Sequence, residues 1–118
     1  MLRSAKSKFG SKLCKRGEIK FHSLLERSVF DQIVKLKEMG KILFYLMQVP
    51  VHLQGGVRHL IDFFIATPTD CYFVEVKAAS AKGRSKIGEL KRKQAEEILG
   101  VQIHVVTDPV QVFGVISQ

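Results

Sequence analysis

The sequence has little of what several common classes of protein require. Its two cysteines, Cys14 and Cys71, lie far apart and follow no zinc-ligand spacing, and there is no tryptophan. A single distant pair makes no disulfide framework, so reduced thiols inside a cell are expected. The longest apolar run, residues 42–51, contains Gln48 and Pro50 and is too short to cross a bilayer. No apolar stretch follows the basic N-terminus, so we expect a cytoplasmic protein that contacts no membrane.

Acidic residues are few relative to basic ones. The chain of 118 residues has 11 Asp and Glu against 19 Lys and Arg, a net charge of +8. Hydrophobic residues make up 46% and charged residues 25%, which is typical of one globular domain. The surplus of positive charge favours a polyanionic partner, because each neutralised phosphate releases counterions. No basic amphipathic helix with an aromatic face stands out, so nucleic acid is favoured over a membrane surface.

The surplus of positive charge begins in the N-terminal segment. Residues 1–20 carry seven Lys and Arg against one acid, Glu18, and have weak apolar periodicity. The pattern predicts a mobile basic N-terminal arm over residues 1–20, with a tail that only aids solubility as the alternative. Residues 21–118 are predicted to form a single domain.

The remaining pattern predicts alternating helices and strands. Ser23 and Glu26 have capping-box spacing and begin a helix that ends at Gly40. A second helix is predicted over residues 89–99, after an exposed basic loop. Strands are predicted over residues 42–47, 49–53, 57–66, 71–78, 101–106 and 110–116. This order predicts an α/β (α+β) protein with a mixed central β-sheet flanked by helices.

Two neighbouring predicted strands hold acids inside apolar runs. Asp62 lies in the middle of the first, and Glu75 lies in the second with Lys77 two residues further on the same face. A carboxylate in a strand that is buried on both faces must be paired or bind a metal. If the strands form a hairpin, Asp62 and Glu75 can share a divalent cation, and carboxylate oxygens suit Mg²⁺ or Mn²⁺. The alternative is an ordinary Glu75–Lys77 ion pair on a solvated face.

Two further residues have competing interpretations. Glu26 fits the capping box, in which it reaches back to the Ser23 amide, but its place beside the apolar helix face also lets it point towards the sheet. His59 on a regular strand would face away from Asp62, so we assign it a packing or DNA-backbone-binding role.

Three segments together resemble a known superfamily. They are Phe21-His-Ser-Leu-Leu-Glu26, Leu60-Ile-Asp62-Phe63 and Phe73-Val-Glu75-Val-Lys77. This pattern is similar to that of the PD-(D/E)xK nucleases, in particular the bacteriophage endonuclease I family of Holliday junction resolvases and the VRR-NUC type. The resemblance covers residues 18–108.

The resemblance implies a restriction-endonuclease-like core and a metal-dependent DNA endonuclease that uses Mg²⁺ or Mn²⁺. It implies that Asp62, Glu75 and the backbone carbonyl of Val76 bind the metal, with support from Glu26 on the first helix. It gives Lys77 the role of the motif's lysine and places Gln94, with Lys93, where some members have an accessory glutamine. It further implies a homodimer that acts on branched DNA, encoded by a phage or mobile element in a bacterial host.

Basic residues flank this motif on both sides. Singly, each fits a solvated surface; collectively, beside a nuclease motif, they predict contacts with duplex or branched DNA. Two other functions remain open: a non-catalytic or assembly-dependent DNA-binding module of the same fold, and a small RNA-binding protein. The predicted DNA contacts are Lys12, Lys15, Arg16, Lys20, Arg58, Lys82, Arg84, Lys86, Lys91 and Arg92.

Overall fold

The computed structural model describes residues 14–79 and 86–118. A 3-10 turn, Gln54–Gly56, joins the third and fourth strands. In the described part of the chain, no helix has the length and hydrophobicity needed to span a bilayer. The helices and strands, in chain order, are β1 (Cys14–Arg16), β2 (Ile19–Phe21), α1 (Leu24–Glu38), β3 (Phe44–His52), β4 (Arg58–Ala66), β5 (Cys71–Val76), α2 (Lys86–Leu99), β6 (Ile103–Val106) and α3 (Gln111–Ile116).

The described residues form a four-stranded mixed sheet flanked by helices. Its strand order is β3-β4-β5-β6; β3, β4 and β5 are antiparallel neighbours, and β6 runs parallel to β5. The parallel pair requires a crossover, which α2 supplies. Because β3 is an edge strand, the missing N–H of Pro50 is tolerated, and the two strands predicted over residues 42–53 are one. The predicted mixed sheet with flanking helices is confirmed.

Helix α1 covers one side of the sheet as its sequence predicts. The Ser23 hydroxyl accepts a hydrogen bond from the Glu26 amide at 3.0 Å, which satisfies one of the free N–H groups at the helix start. Val29, Ile33 and Leu36 then recur at helical spacing and are buried in the larger core cluster. This cluster takes in Phe63 and Ile65 of β4, Tyr72 and Val74 of β5, and Val112 and Val115 of α3.

A smaller core cluster lies beneath α2. Ala95 of α2 packs with Ile103 of β6 and with Ile61, Val51 and Leu53 from the β3–β4 region. Along β4 the buried side chains therefore change cluster, from Ile61 in the smaller to Phe63 in the larger. Asp62 is the residue between them, so this carboxylate lies where the two halves of the core meet.

The prediction of a strand over residues 110–116 is wrong, because this segment is helix α3. The Asp108 carboxylate accepts a hydrogen bond from the Val110 amide at 3.0 Å, and the Asp108 carbonyl accepts one from Gln111 at 3.1 Å. These bonds start a helical turn after Pro109. Val112 and Val115, three residues apart, then bury one helical face, whereas strand alternation would have separated them.

The N-terminal segment is more ordered than predicted where the structure describes it. Strands β1 and β2 form an antiparallel hairpin that contacts α1, so residues 14–20 are not an unstructured arm. The Arg16 guanidinium makes two hydrogen bonds, of 2.7 and 2.8 Å, with the Asp31 carboxylate of α1. Helix α2 begins at Lys86, three residues before its predicted start at residue 89. Lys12, Lys82 and Arg84 lie outside the described residues.

Candidate active site

The predicted site residues meet where β4 and β5 separate. The last backbone pair between these strands is Phe63 with Val74. At the next position of β4 the side chain of Asp62, and not its backbone, bonds to the neighbouring strand. Its Oδ2 accepts a hydrogen bond from the Val76 amide at 2.8 Å. The hairpin expected from the sequence therefore forms, and it places Asp62 beside the Glu75–Val76 segment.

Gln48 joins two of the carboxylates and was not identified from the sequence. Its amide nitrogen Nε2 donates to Oε2 of Glu26 and to Oδ1 of Asp62, both at 3.2 Å. Its backbone φ is 51°, a value that no other non-glycine residue in the described ranges reaches. Left-handed backbone at such a residue is strained and is concentrated at functional sites. The available signal was its polarity, because Gln48 interrupts the longest apolar run.

Glu26 is part of the site rather than the second half of a capping box. Its side chain is buried, and Oε1 accepts a hydrogen bond from the His22 amide at 2.9 Å, not from that of Ser23. Burial raises the pKa of Glu26 above its ordinary 4.5; the His22 hydrogen bond opposes this, and the Asp62 charge adds to the rise. The sequence had left both interpretations of Glu26 open, and it contacts the site through Gln48.

Glu75 contacts His59, which sequence reasoning had placed in a packing or backbone-binding role. Nε2 of His59 and Oε1 of Glu75 are hydrogen-bonded, and each side chain is only 13% exposed. Burial raises the pKa of Glu75, the His59 contact lowers it, the Asp62 charge raises it and the Arg92 charge lowers it. The structure therefore pairs Glu75 with His59, whereas the alternative left open from the sequence was an ion pair between Glu75 and Lys77. Alternation along the strand could not reveal a partner sixteen residues away.

Lys77 follows β5 directly and faces a cleft. Its amide donates to the Val106 carbonyl at 2.9 Å, which fixes the end of β5 against β6. The half-buried Lys77 lines a cleft of about 260 Å³ together with Arg92 and Thr107. Lys77 stands two residues after Glu75, and the residues that share its cleft come from α2, from β6 and from the residue that follows β6.

The predicted accessory and DNA-contacting residues lie in several places. Lys93 and Gln94 are on the exposed side of α2, whereas Arg92 faces the cleft beside Glu75. Among the predicted DNA contacts, Arg58 and Lys86 are exposed and Lys20 and Lys91 are half-buried, while the side chain of Lys15 is outside the described residues. Arg16 binds Asp31. Among the described basic residues, Lys77 and Arg92 line the cleft beside Glu75.

The oxygen donors suit Mg²⁺ or Mn²⁺. Glu26 and Asp62 share one weak donor, the Gln48 amide, and the repulsion between the two carboxylates would be relieved by a cation. Glu75 is engaged by His59. In the conformation described, no three His, Cys, Asp or Glu side chains of residues 14–79 and 86–118 are grouped to hold an ion. The donors fit such a metal in kind, since all are carboxylate or carbonyl oxygens.

The site thus contains one carboxylate from each of α1, β4 and β5, namely Glu26, Asp62 and Glu75, with the cations Lys77 and Arg92 nearby. We call the place in the sheet where these three carboxylates lie the seam. Such an arrangement can bind a divalent cation and an anionic group next to each other. No family model, no curated protein and no solved structure matches this chain.

Proposed function

We propose that this protein is a metal-dependent DNA endonuclease of the PD-(D/E)xK type with a restriction-endonuclease-like core. The observation that carries the proposal is the convergence of Glu26, Asp62 and Glu75 on one largely apolar seam. Burial and the Asp62 charge both raise the pKa of Glu26 and of Glu75. Structural ion pairs rarely place like charges together, whereas sites that bind cations and do chemistry often do.

Simple packing does not account for these carboxylates. A buried charged group costs stability unless it is paired, and apolar residues of similar volume would be at least as stable in its place. Glu26 and Asp62 share a single neutral donor from Gln48, which leaves their mutual repulsion in place. A function that requires anionic oxygens at this seam explains their presence.

The proposed chemistry is hydrolysis of a phosphodiester. A water oxygen forms a bond to phosphorus, the bond to one bridging oxygen breaks, the water gives up a proton and the leaving oxygen takes one up. Bound Mg²⁺ or Mn²⁺ supplies charge neutralisation at the phosphate and a more acidic water. Asp62, Glu75 and the Val76 carbonyl would hold the ion, with Glu26 alongside.

Within this chemistry Lys77 and Asp62 have distinct tasks. The Lys77 ammonium, held at the end of β5, neutralises negative charge that develops on the phosphate oxygens. Asp62 is oriented by two hydrogen bonds, from Gln48 and from the Val76 amide, which fix the direction of both of its oxygens. A carboxylate held in this way needs little reorganisation when a cation binds.

The proposed substrate is duplex or branched DNA. The net charge of +8 favours a polyanion, and Lys77 and Arg92 concentrate positive charge at the site. Cutting branched DNA such as Holliday junctions on both strands would use a homodimer. The edge strand β3 and the residue before it offer exposed apolar side chains for that contact, Leu43, Phe44 and Leu46. A monomeric mass by size-exclusion chromatography with light scattering would contradict the homodimer.

The decisive experiment is cleavage of an end-labelled four-way junction and of a linear duplex in Mg²⁺, Mn²⁺ or EDTA. We expect metal-dependent cutting by the wild type, loss of cutting in Glu75→Ala, and no change in Glu38→Ala, which removes an exposed glutamate at the end of α1. Preference for the junction would support the resolvase assignment. Failure of the wild type to cut either DNA in either metal would refute the nuclease.

A non-catalytic DNA-binding module of the same fold is the second candidate. It is favoured by one observation: Gln48 and His59 already bind the carboxylates of the seam. In that case the wild type binds the labelled junction in a gel-shift assay but leaves it intact in both metals. Glu75→Ala would then bind as well as the wild type.

A further inference from the structure

Arg92 occupies the wall between the candidate site and the neighbouring cleft. The cleft, of about 260 Å³, is bounded by β5, α2 and β6, and its lining includes Lys77, Arg92, Thr107 and Glu89. Two of these side chains carry a positive charge and one, Glu89, carries a negative charge. The cleft lies close to Glu75, because Lys77 in its lining follows Glu75 by two residues.

The guanidinium of Arg92 is positioned by Glu96, which lies in the same helix, α2. Nη1 of Arg92 lies 3.6 Å from Oε1 of Glu96, one helical turn further on. The other oxygen of Glu96 accepts a hydrogen bond from the Ile103 amide at 2.8 Å, at the start of β6. Glu96 is thereby fixed, and it orients Arg92 through an ion pair; among the described residues it is the one partner of the guanidinium.

Arg92 has donors that the described residues do not satisfy. Its Nε is buried, and no acceptor within residues 14–79 and 86–118 lies in hydrogen-bond range of it. Leaving a charged donor buried without a partner costs more than exposing it, so native proteins seldom do so without a reason. Nε of Arg27 is likewise buried without a partner among the described residues, and a buried Nε is out of reach of a ligand. The Arg92 side chain as a whole is 20% exposed, so a ligand with several acceptor oxygens would bind the terminal nitrogens of the guanidinium.

We propose that the cleft binds a DNA phosphate through the guanidinium of Arg92, with Lys77 on the other side of the same phosphate. The planar fork of arginine matches phosphate oxygens in two parallel hydrogen bonds, and a neighbouring ammonium adds charge. Thr107 offers a hydroxyl on the same wall, and Glu89 limits how far the anion extends along the cleft. Arg92 is then a residue of the active site, and not one of many surface cations that track the DNA backbone. The inference rests on the proposed nuclease function for the identity of its ligand.

The first test measures binding without catalysis. Fluorescence anisotropy of a labelled duplex is followed in EDTA at several salt concentrations for wild type, Arg92→Gln, Arg92→Lys and Lys37→Gln. Lys37, exposed in the last turn of α1, provides the matched loss of one charge away from the cleft. We expect the slope of log K against log salt to fall by about 0.9 in Arg92→Gln alone, because one phosphate contact is lost. An unchanged slope in Arg92→Gln overturns the inference.

The second test measures cleavage by the same four proteins in Mg²⁺. We expect the kcat of Arg92→Gln to fall about 100-fold, while Arg92→Lys keeps the salt slope but recovers only part of kcat. Circular dichroism and thermal melting establish that the variants fold. If Arg92→Gln does not fold, the kcat of Arg92→Lys decides the question. A kcat in Arg92→Gln equal to that of the wild type also overturns the inference. If the wild type does not cut at all, the nuclease fails, while the salt slope still decides the phosphate cleft.

Discussion

Gln48 of β3 and Asp62 of β4 lie opposite each other, but they are not paired through their backbones as their neighbours are. Their side chains are hydrogen-bonded to each other. Backbone pairs flank this position on both sides, Met47 with Phe63 and Val49 with Ile61. The bond from Gln48 Nε2 to Asp62 Oδ1 is 3.2 Å. Backbone strain at Gln48 and the burial of carboxylates therefore coincide in one place, as is common where a site is built for binding or catalysis.

Replacing Gln48 tests whether its amide holds the carboxylates together. Gln48→Leu keeps the volume but removes the donor that Glu26 and Asp62 share, so their repulsion is unopposed. We expect the free energy of unfolding near neutral pH to fall by roughly 1–3 kcal/mol, measured by urea denaturation. Gln102→Leu, at an exposed position after α2, is the control and should change it by no more than about 0.5 kcal/mol. Equal effects of the two substitutions would show that the Gln48 bonds carry no stability.

The raised pKa of Glu26 predicts a stability that falls as the pH rises. Below its ordinary pKa of 4.5 the group is protonated in both states and has no effect. Above 4.5 the unfolded chain loses the proton first while the folded chain keeps it, so stability declines until the folded pKa is passed. Glu26→Gln should flatten the decline that begins as the pH rises above 4.5. Urea titrations across that range are the measurement, with Glu38→Gln as the exposed control; parallel curves for Glu26→Gln and wild type would contradict the prediction.

The His59–Glu75 contact should appear as a coupling in a double-mutant cycle. His59→Ala, Glu75→Gln and the double variant are compared by chemical denaturation. We expect a coupling free energy of roughly 0.5–3 kcal/mol, because both side chains are largely buried. The exposed Arg16–Asp31 pair, with side chains 45% and 41% exposed, is the matched control and should give about 0.2–1 kcal/mol. Additive effects at His59 and Glu75 would mean that the contact contributes nothing.

Two glycines test the corrected C-terminal helix. A Cβ at either Gly114 or Gly100 would meet no atom within 4 Å, so space does not distinguish them. Gly114 lies inside α3, and Gly114→Ala should raise the free energy of unfolding by about 0.5–1 kcal/mol through helix propensity. Gly100 ends α2 with φ of 73°, so Gly100→Ala should lower it by about 1 kcal/mol. Thermal melting measures both variants, and a loss of stability in Gly114→Ala would contradict the helical backbone at that position.

Local patterns predicted the parts of this fold that depend on neighbours in the chain. Ser23 and the spacing of Val29, Ile33 and Leu36 defined α1, and the short turn after Ala66 defined the hairpin that carries Asp62 and Glu75. The contacts of Gln48 with Glu26, and of His59 with Glu75, join residues 22 and 16 positions apart. Such pairings are set by how strands and helices pack, which alternation within a single strand does not encode.

The error at α3 has a similar origin. Val110, Val112 and Ile116 alternate as in a strand, but Val112 and Val115 also fit one helical face. In a segment of six residues both periods are satisfied, and the hydrogen bonds from Val110 and Gln111 to Asp108 decide between them. The restriction-endonuclease-like core and the nuclease activity stay predictions.

The mixed pairing of β5 has a consequence for the order in which the molecule assembles. Strand β5 can pair with its antiparallel neighbour β4 within microseconds, because a tight turn joins the two strands. Its pairing with the parallel strand β6 can form only after α2 and β6 have been added. On a ribosome, α1 and the first three strands of the sheet emerge with all three carboxylates, and the guanidinium of Arg92 follows later. The nascent chain thus acquires the three carboxylates of the candidate site before Arg92, and this site is complete only when the last third of the chain has docked.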